Sequence, residues 1–493
     1  MKCMLVFPAW KTSDFFPEEF GTSTTHRWHP LGLLYIGAAL LKHGHDVKLL
    51  DGAFYTHKEI IKEFCLFQPE FVGIHANCPM WTKAVKTAND IRTINANVYL
   101  TVGGPAPIGW KERCLHECES INCIFTAEGE YSVPKLVEIL EKNEMDGLYD
   151  IRGIIFRDKK NQIIKNPDDY PIQDLDLLPF PAFHLLGNNA TKYKPNIGTY
   201  KRLPVFSMIT SRDCSHGSCI FCFHTFSSKK TRFRSPKNVV DEMEYLVKNF
   251  GAREIKFLDD TFTADAKRVH EICDEIRSRK LKVIWYISSR ADAVNRELLA
   301  DMKSAGCYSI LYGVESGVQK NLDALSKGIT LNQIREAVSD AKSVGLKVST
   351  PFIFGIPGET YKEGLETIKF ACELNGDMVN FHTLTPYPGT ELYDNVEKYG
   401  QMTDVTDDLT FETAAFVPYS MTQDEIIKLK ELAFKKFYFR PAYIIKRLLS
   451  IRNKNDLLAL FYGAKTLITL ITHPNVFGGK KNIPESLMSR NEK

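Results

Sequence analysis

The chain has 493 residues, enough for two to four ordinary domains, and 44% hydrophobic with 25% charged residues is the balance of a globular protein with ample core, not of a disordered or fibrous one. Lys and Arg number 63 against 60 Asp and Glu, and a net charge of +3 leaves no electrostatic footprint for nucleic acid as the main partner. The opening MKCMLVFPAW has no signal-peptide pattern, no uncharged run of about 18 apolar residues reads as a spanning helix, and twelve cysteines predict free thiols in a reducing cytoplasm.

Residues 1–145 alternate strand-like and helix-like segments. Met4 to Phe7 is a short apolar run, and Leu31 to Gly44 has helical apolar spacing with a Gly stop. Segments 46–51, 70–76, 97–104 and 122–130 read as further strands, with helices near 58–67, 81–93 and 133–140 between them. This rhythm predicts a doubly wound parallel sheet with its ligand beyond the strands' carboxyl ends. Residues 146–203 break it. IRGIIFRDKKNQIIKNP reads as a hairpin and LDLLPFPAF is Pro-punctuated, so the stretch is expected to be a linker packed on its neighbours.

From Pro204 a second βα alternation begins, with strands expected at 205–210, 254–259, 282–288, 307–313, 347–355 and 378–385. Six such units over 204–400 suit a partial, TIM-like (β/α)6 barrel with its chemistry at the strands' carboxyl ends. The tail, 401–493, reads as mostly helical. From Arg440 onward ten Lys or Arg face three Asp or Glu, a local charge of +7. Its apolar stretches AYIIKRLLSI and LLALFYGAKTLITLIT read as core-packing helices with a solvated basic face, and weak contact with a membrane surface is the alternative.

The sharpest signal is TSRDCSHGSCIFCFHTF, which places Cys214, Cys219 and Cys222 just past the first strand of the second alternation. Three thiolates so close can wrap one side of a compact metal centre, and Ser215, Gly217 and Ser218 let the loop curl. An iron–sulfur cube takes one thiolate per iron, so three leave one iron open to N or O atoms of a substrate or cofactor. Structural zinc, with His216 or His224 as fourth ligand, is the other reading, although no second C-x-x-C completes a usual zinc site.

This loop resembles the cluster-binding loop of radical S-adenosylmethionine (radical SAM) enzymes. Their commonest spacing is C-x-x-x-C-x-x-C, one residue shorter between the first two cysteines. The longer form is familiar among members with an N-terminal cobalamin-type domain. The resemblance covers about 204–400 and implies a 4Fe-4S cluster on Cys214, Cys219 and Cys222, with S-adenosylmethionine at the open iron. It assigns Phe221 to the adenine and Asp259 or Asp260 of LDDTF to the amino group, in a motif without the usual glycines. Arg290 of SSRAD goes to the methionine carboxylate, Glu315 of GVESG to a ribose hydroxyl, and Gly355 and Gly358 of FIFGIPGET to the adenine-contacting segment. Singly these are ordinary caps, ion pairs and turns; their placement at successive strand ends carries the weight.

The N-terminal sheet resembles the cobalamin-binding, Rossmann-like domain of one large class of these enzymes. HPLGLLYIGAALLKHGHDVKLLD is similar to its opening segment, and Asn77, Gly103, Gly104, Glu128 and Gly129 fall at strand ends used for the corrin and its tail. The cobalt-ligating motif D-x-H-x-x-G is absent, which puts Asn77 or a water below cobalt. A flavodoxin-like domain that binds a nucleotide, or nothing, is the alternative, since Gly-Gly after a strand is generic. The resemblance implies reductive cleavage of S-adenosylmethionine to a 5′-deoxyadenosyl radical and transfer of a methyl group from cobalamin to an unactivated carbon. The substrate class is a small molecule, a lipid or a peptide, and the electron donor a flavodoxin or ferredoxin. Tyr312, His382 and Tyr387 are candidate lining residues. Radical cyclisation or oxidative rearrangement without methyl transfer, a non-catalytic corrinoid or zinc module, and tRNA modification are the competing readings; the near-neutral charge counts against the last.

Overall fold

The computed structural model describes residues 1–11, 28–195, 199–226, 230–403 and 414–451, with scattered helical positions between 457 and 465. The tail is helical over Gln423–Tyr438 and Pro441–Leu449, and the stretch LLALFYGAKTLITLIT lies largely outside the described residues. Of the AYIIKRLLSI segment only Tyr443 is buried, while Ile445, Leu448 and Leu449 are exposed, so it does not pack into the core as expected.

The N-terminal sheet contains β1 (Lys2–Phe7), β2 (Asp46–Asp51), β3 (Phe71–His75), β4 (Tyr99–Gly103) and β5 (Cys123–Phe125). These strands are parallel in the order β2-β1-β3-β4-β5. Helices cover both faces. Cys3 and Leu5 of β1 share one core layer with Leu34 and Leu40, while Met4 and Val6 share the other with Ile60 and Phe64. A strand buried on both sides needs apolar residues at consecutive positions, which is why MLVF is continuous rather than alternating. β6 (Ile154–Arg157) and β7 (Ile163–Lys165) continue this sheet, antiparallel, beyond β5. The hairpin expected in a linker is thus an integral edge of the first domain: Ile154 and Phe156 enter one core layer and Ile155 the other.

The irregular chain that follows joins the two domains. Phe183 meets Phe206 edge to face, with ring centroids 5.3 Å apart, and the Tyr193 hydroxyl donates to Asp51 at 2.5 Å. The second domain then opens with β8 (Val205–Met208), followed by the short antiparallel pair β9 (Ser211–Arg212) and β10 (Arg232–Phe233). β11 (Glu254–Phe257), β12 (Ile284–Ser289), β13 (Cys307–Tyr312), β14 (Lys347–Phe354) and β15 (Met378–Thr383) complete a parallel six-stranded sheet whose edges are β8 and β15. This is the expected partial barrel with a lateral seam. Its strands alternate as a barrel requires. In β14, Val348, Phe352 and Phe354 pack outward under the helices, while Lys347, Ser349, Pro351 and Ile353 face inward and stay partly accessible. Among the described residues no helix is long and apolar enough to cross a membrane.

The carboxyl ends of the two sheets meet. Gly109, in the short helix Pro105–Trp110 after β4, lies so close to the loop after β15 that a Cβ there would stand 2.4 Å from the Pro388 carbonyl oxygen. Gly389 lies in the same way against the ring of Phe223, the residue directly after Cys222; a Cβ on Gly389 would come within 3.0 Å of that ring.

Candidate functional site

The cysteine loop leaves β9 through Asp213, at φ +70, and reverses at Gly217, at φ +53. Asp213 can hold that conformation because its carboxylate is fastened to Arg232 Nε at 2.8 Å. His216 donates from Nε2 to the Ser326 carbonyl at 2.7 Å, and the Ile220 amide donates to the Leu325 carbonyl at 3.2 Å. The loop is therefore hung from the segment that returns after β13. Cys219 is buried, and Cys214 and Cys222 are half-buried. The Cys214 thiol sits 3.7 Å from Thr261 Oγ1.

A hydrogen bond from Cys222 lowers the Cys219 thiol to about 7 against the opposing effect of burial, and the charges of Lys327 and Arg290 pull it the same way. Cys222 is pushed up in return. Cationic surroundings that favour thiolate suit a metal-binding loop. Among the described residues, no three Cys, His, Asp or Glu side chains converge on one ion. Thiolates that each take a different corner of a cube need no such convergence, whereas tetrahedral zinc does.

Around the loop, the structure sorts the expected S-adenosylmethionine residues. Asp259 is buried and turned inward, accepting from the Thr210 amide at 2.7 Å, from the Thr210 hydroxyl, and from Ser211 Oγ at 2.8 Å. Asp260 is exposed at the mouth. Its carboxyl is raised by the surrounding protein, with His224 pulling it down and the nearby Asp259 and Asp213 pushing it up. Arg290 closes its fork on Asp292, at 2.9 and 2.8 Å, and gives another bond to the Lys327 carbonyl at 3.0 Å. A cavity of about 480 Å³ opens here, lined by Ser215, His216, Thr263, Arg290, Asp292 and Asn295.

Glu315 sits at φ +67, an uncommon conformation for a side chain of its size. Its amide donates to Pro351 and its carbonyl accepts from Ile353, which lock it onto β14. Its carboxylate pairs with Lys327 Nζ at 2.8 Å, both side chains being about one-tenth exposed. Gly313 leaves room for this pair: a Cβ there would stand 2.6 Å from Glu315 Oε1 and 2.9 Å from Lys327 Nζ and would push the two side-chain ends aside. Phe221 lies 6.0 Å from the same ammonium. Gly355 and Gly358 both take positive φ, +85 and +76, as the turn after β14 demands. Glu359 ties that turn by accepting from the Gly355 and Ile356 amides at 2.8 and 3.2 Å, and burial pushes its carboxyl up to about 8. Lys327 and Glu359 were not singled out in the sequence. Tyr312 is fully buried, and His382 faces the barrel interior from β15.

In the first domain, Asn77, Gly103 and Gly104 do come together, at the ends of β3 and β4. Gly104 has φ +111, and a Cβ would meet the Ala76 carbonyl oxygen at 2.7 Å and His75 at 3.0 Å. At Gly103 the nearest contact of a Cβ would be ordinary, 3.9 Å from Phe125. His75 stacks on Phe7 with centroids 4.9 Å apart, and burial lowers it to about 4. Asn77 Oδ1 is buried with no hydrogen-bond partner among the described residues. An orphaned acceptor beside a backbone stripped of side chains fits a bulky ligand with polar edges, as a corrin has.

Glu128 and Gly129 follow β5, the strand beside β4, and have other neighbours. A Cβ on Gly129 would strike Ile36 at 2.8 Å, so this glycine serves helix packing. Glu128 bridges the domains: it holds Arg212 at 2.8 Å and Arg232 at 2.9 and 2.8 Å, and accepts from the Ile172 amide at 2.9 Å. Glu130 joins through Arg212. Arg212 and Arg232 stand opposite each other on β9 and β10, a pairing with no local sequence signal; Arg234, two residues on, pairs instead with Glu242.

A radical SAM superfamily model matches residues 208–371, and a B12 binding domain model matches residues 20–137. An uncharacterized methyltransferase of Pyrococcus horikoshii is 34% identical over 90% of this chain and 94% of its own length. The anaerobic magnesium-protoporphyrin IX monomethyl ester cyclase of Rubrivivax gelatinosus is 27% identical over 86% of this chain and 76% of its own. In fold, the chain is similar to the cobalamin-dependent S-adenosylmethionine radical enzyme OxsB with aqua-cobalamin bound, at TM-score 0.73 and 19% identity over 95% of this chain and 72% of that one. With a thiol loop on a partial barrel and an open cradle on the adjoining sheet, the chain belongs to the cobalamin-binding radical SAM enzymes.

Proposed function

We propose that the enzyme methylates an unactivated carbon of a small-molecule, lipid or peptide substrate. The observation that supports this best is the shared mouth: the helix after β4 touches the loop after β15 at Gly109 and Pro388, and that loop touches Phe223 beside Cys222. The cradle of one domain and the thiol loop of the other thus open on one space. When bound, the cluster, S-adenosylmethionine and cobalamin supply a carbon-centred radical and a transferable methyl group.

The chain's own residues position these groups. Cys214, Cys219 and Cys222 hold the cluster. Asp260, not the inward-turned Asp259, is the carboxylate available to an ammonium. Lys327 is the cation assigned to a carboxylate: it lies beside Phe221 and is held by a single oxygen of Glu315, whereas the Arg290 fork is closed on both oxygens of Asp292. Glu315 keeps one oxygen for a ribose hydroxyl while the other holds Lys327, and Phe221, beside the same ammonium, serves the adenine. Asn77, Gly103 and Gly104 hold the corrin. A flavodoxin or ferredoxin supplies the electron, in a reducing cytoplasm.

The cyclase relative supports a second reading, radical ring formation without methyl transfer. Anaerobic reconstitution with iron, sulfide and hydroxocobalamin, followed by turnover with methyl-deuterated S-adenosylmethionine, separates the two. About four irons and one cobalt per chain, with label in the product, is the expected result. Product without label turns the assignment to the cyclase chemistry, and zinc in place of iron ends both readings.

A further inference from the structure

The inner face of the barrel carries a polar row that none of these roles uses. Strand register sets Ser207 of β8, Lys256 of β11, Tyr286 of β12 and Ser309 of β13 side by side. Their neighbours Phe206, Ile255, Phe257, Trp285 and Ile287 pack outward in the helix-covered core, so alternation turns the row into the lumen. Lys256 stands three residues before Asp259, which places it about 10 Å below the mouth.

Lys256 Nζ lies 4.7 Å from the Tyr286 ring centroid and 4.9 Å from that of Trp28, which reaches in from the first domain. Among the described residues it has no carboxylate partner. The acid nearest along the same strand face, Glu254, is spent on the Lys201 and Arg202 amides, both at 2.7 Å, and on the Tyr308 hydroxyl at 2.6 Å. Burial accordingly lowers the Lys256 ammonium to about 8. On either side of it, Ser207 Oγ and the Tyr286 hydroxyl are buried with no hydrogen-bond partner among the described residues, the residues being 0% and 6% exposed. Below the row, Lys201 rests on the Tyr308 ring at 4.3 Å and adds a second positive charge.

Two ring faces soften the isolation of a buried ammonium. They do nothing for two orphaned hydroxyls, and buried polar groups are left unsatisfied only rarely. A cation flanked by two unused donors, under an indole, is the complement of a compact anion. We infer that Lys256, Ser207 and Tyr286 receive an anionic oxygen group of the substrate, a carboxylate or a phosphoryl group, and so hold the carbon to be modified near the mouth. This deepens the proposed function and rests on it only in taking the lumen as the substrate's place.

The test is acetic anhydride footprinting of the reconstituted full-length protein, with Lys256 read by peptide mass spectrometry. Millimolar inorganic phosphate or acetate is expected to lower Lys256 acetylation several-fold while leaving the exposed Lys86 unchanged. Protection by phosphate alone assigns a phosphoryl group, and protection by acetate alone a carboxylate. Ser207→Ala and Tyr286→Phe should each raise the protecting concentration about tenfold, the effect of losing one hydrogen bond to a charged group. In parallel, the protecting anion should raise the melting temperature of the wild type and leave that of Lys256→Met unmoved. Labelling indifferent to both anions, or a Lys256 that the reagent never reaches, overturns the inference and leaves a cation merely stacked on two rings. Neither readout involves radical chemistry, so failure here leaves the methyl-transfer reading intact, and failure of methyl transfer leaves this site standing.

Discussion

Glu128→Ala removes one carboxylate that two arginines of the other domain share. Glu128, Arg212 and Arg232 are only 11%, 15% and 5% exposed. Deleting one member of a buried pair costs about 3–5 kcal/mol, because the partner's charge stays behind. Here each guanidinium keeps a second acid, Arg212 through Glu130 and Arg232 through Asp213, so the lower end, about 3 kcal/mol, is expected. Glu128→Gln, which preserves shape and one acceptor, should cost about half of that. Urea unfolding of the full-length chain at pH 7 measures both, and a double-mutant cycle with Arg232→Met isolates the pair. Acidity supplies a second check. Burial works to raise the Glu128 carboxyl, yet Arg232 and Arg212 outweigh it and hold it below its usual range. A group lowered on folding adds stability above its unfolded value, so the gap between wild type and Glu128→Ala should be full at neutral pH. It should close as pH falls below about 4. A loss under about 1 kcal/mol, the scale of an exposed pair, would refute the reasoning.

Gly104→Ala should lower cobalt retention after reconstitution at least tenfold, since both φ +111 and the Ala76 carbonyl oxygen resist a methyl group; iron content should stay unchanged. Lys327→Met should cost about 3 kcal/mol by leaving Glu315 unpaired and should weaken S-adenosylmethionine binding in equilibrium dialysis. Arg290→Met should weaken that binding less, and the reverse ranking would return the carboxylate to Arg290. Glu359 is raised on folding to about 8, so its contribution is present at low pH and lost as pH rises through that value. Glu359→Gln should remove this slope from melting temperatures measured between about pH 5 and 8, and an unchanged slope would place the titration elsewhere.

The strands of the N-terminal sheet were legible because parallel strands buried on two faces leave continuous apolar runs such as 4–7 and 71–74, and those of the barrel because one face alternates apolar under the helices. The hairpin at 154–165 was legible as a hairpin and misplaced as a linker. Its pairing with β5 joins Ile154 to Phe125 across the sheet, and no local pattern encodes a partner that far away. β9 and β10, two residues each, carry no periodicity at all. At the site, the cysteine spacing was a local signal and so was readable. Which acid and which base face the mouth was not: Asp259 and Asp260 are adjacent, and only the position of Thr210 and Ser211 turns the first inward. Lys327 reaches Glu315 from across the helix Gln319–Ala324, a distance invisible to motif reading. The partner of Arg290 is local by contrast, since Asp292 stands two residues on.

Position 109 works as a spacer made of almost nothing. The hydrogen it carries leaves the Pro388 carbonyl oxygen where a methyl carbon would stand only 2.4 Å away, against the 3.4 Å of an ordinary contact. Alanine there would act as a shim, driving the two sheet ends apart by about 1 Å, a displacement that can change the rate of a transfer between positioned groups a hundredfold. The clearance between the two halves of this enzyme is thus machined by the absence of a side chain, and a residue that touches no reactant sets how far a group has to travel.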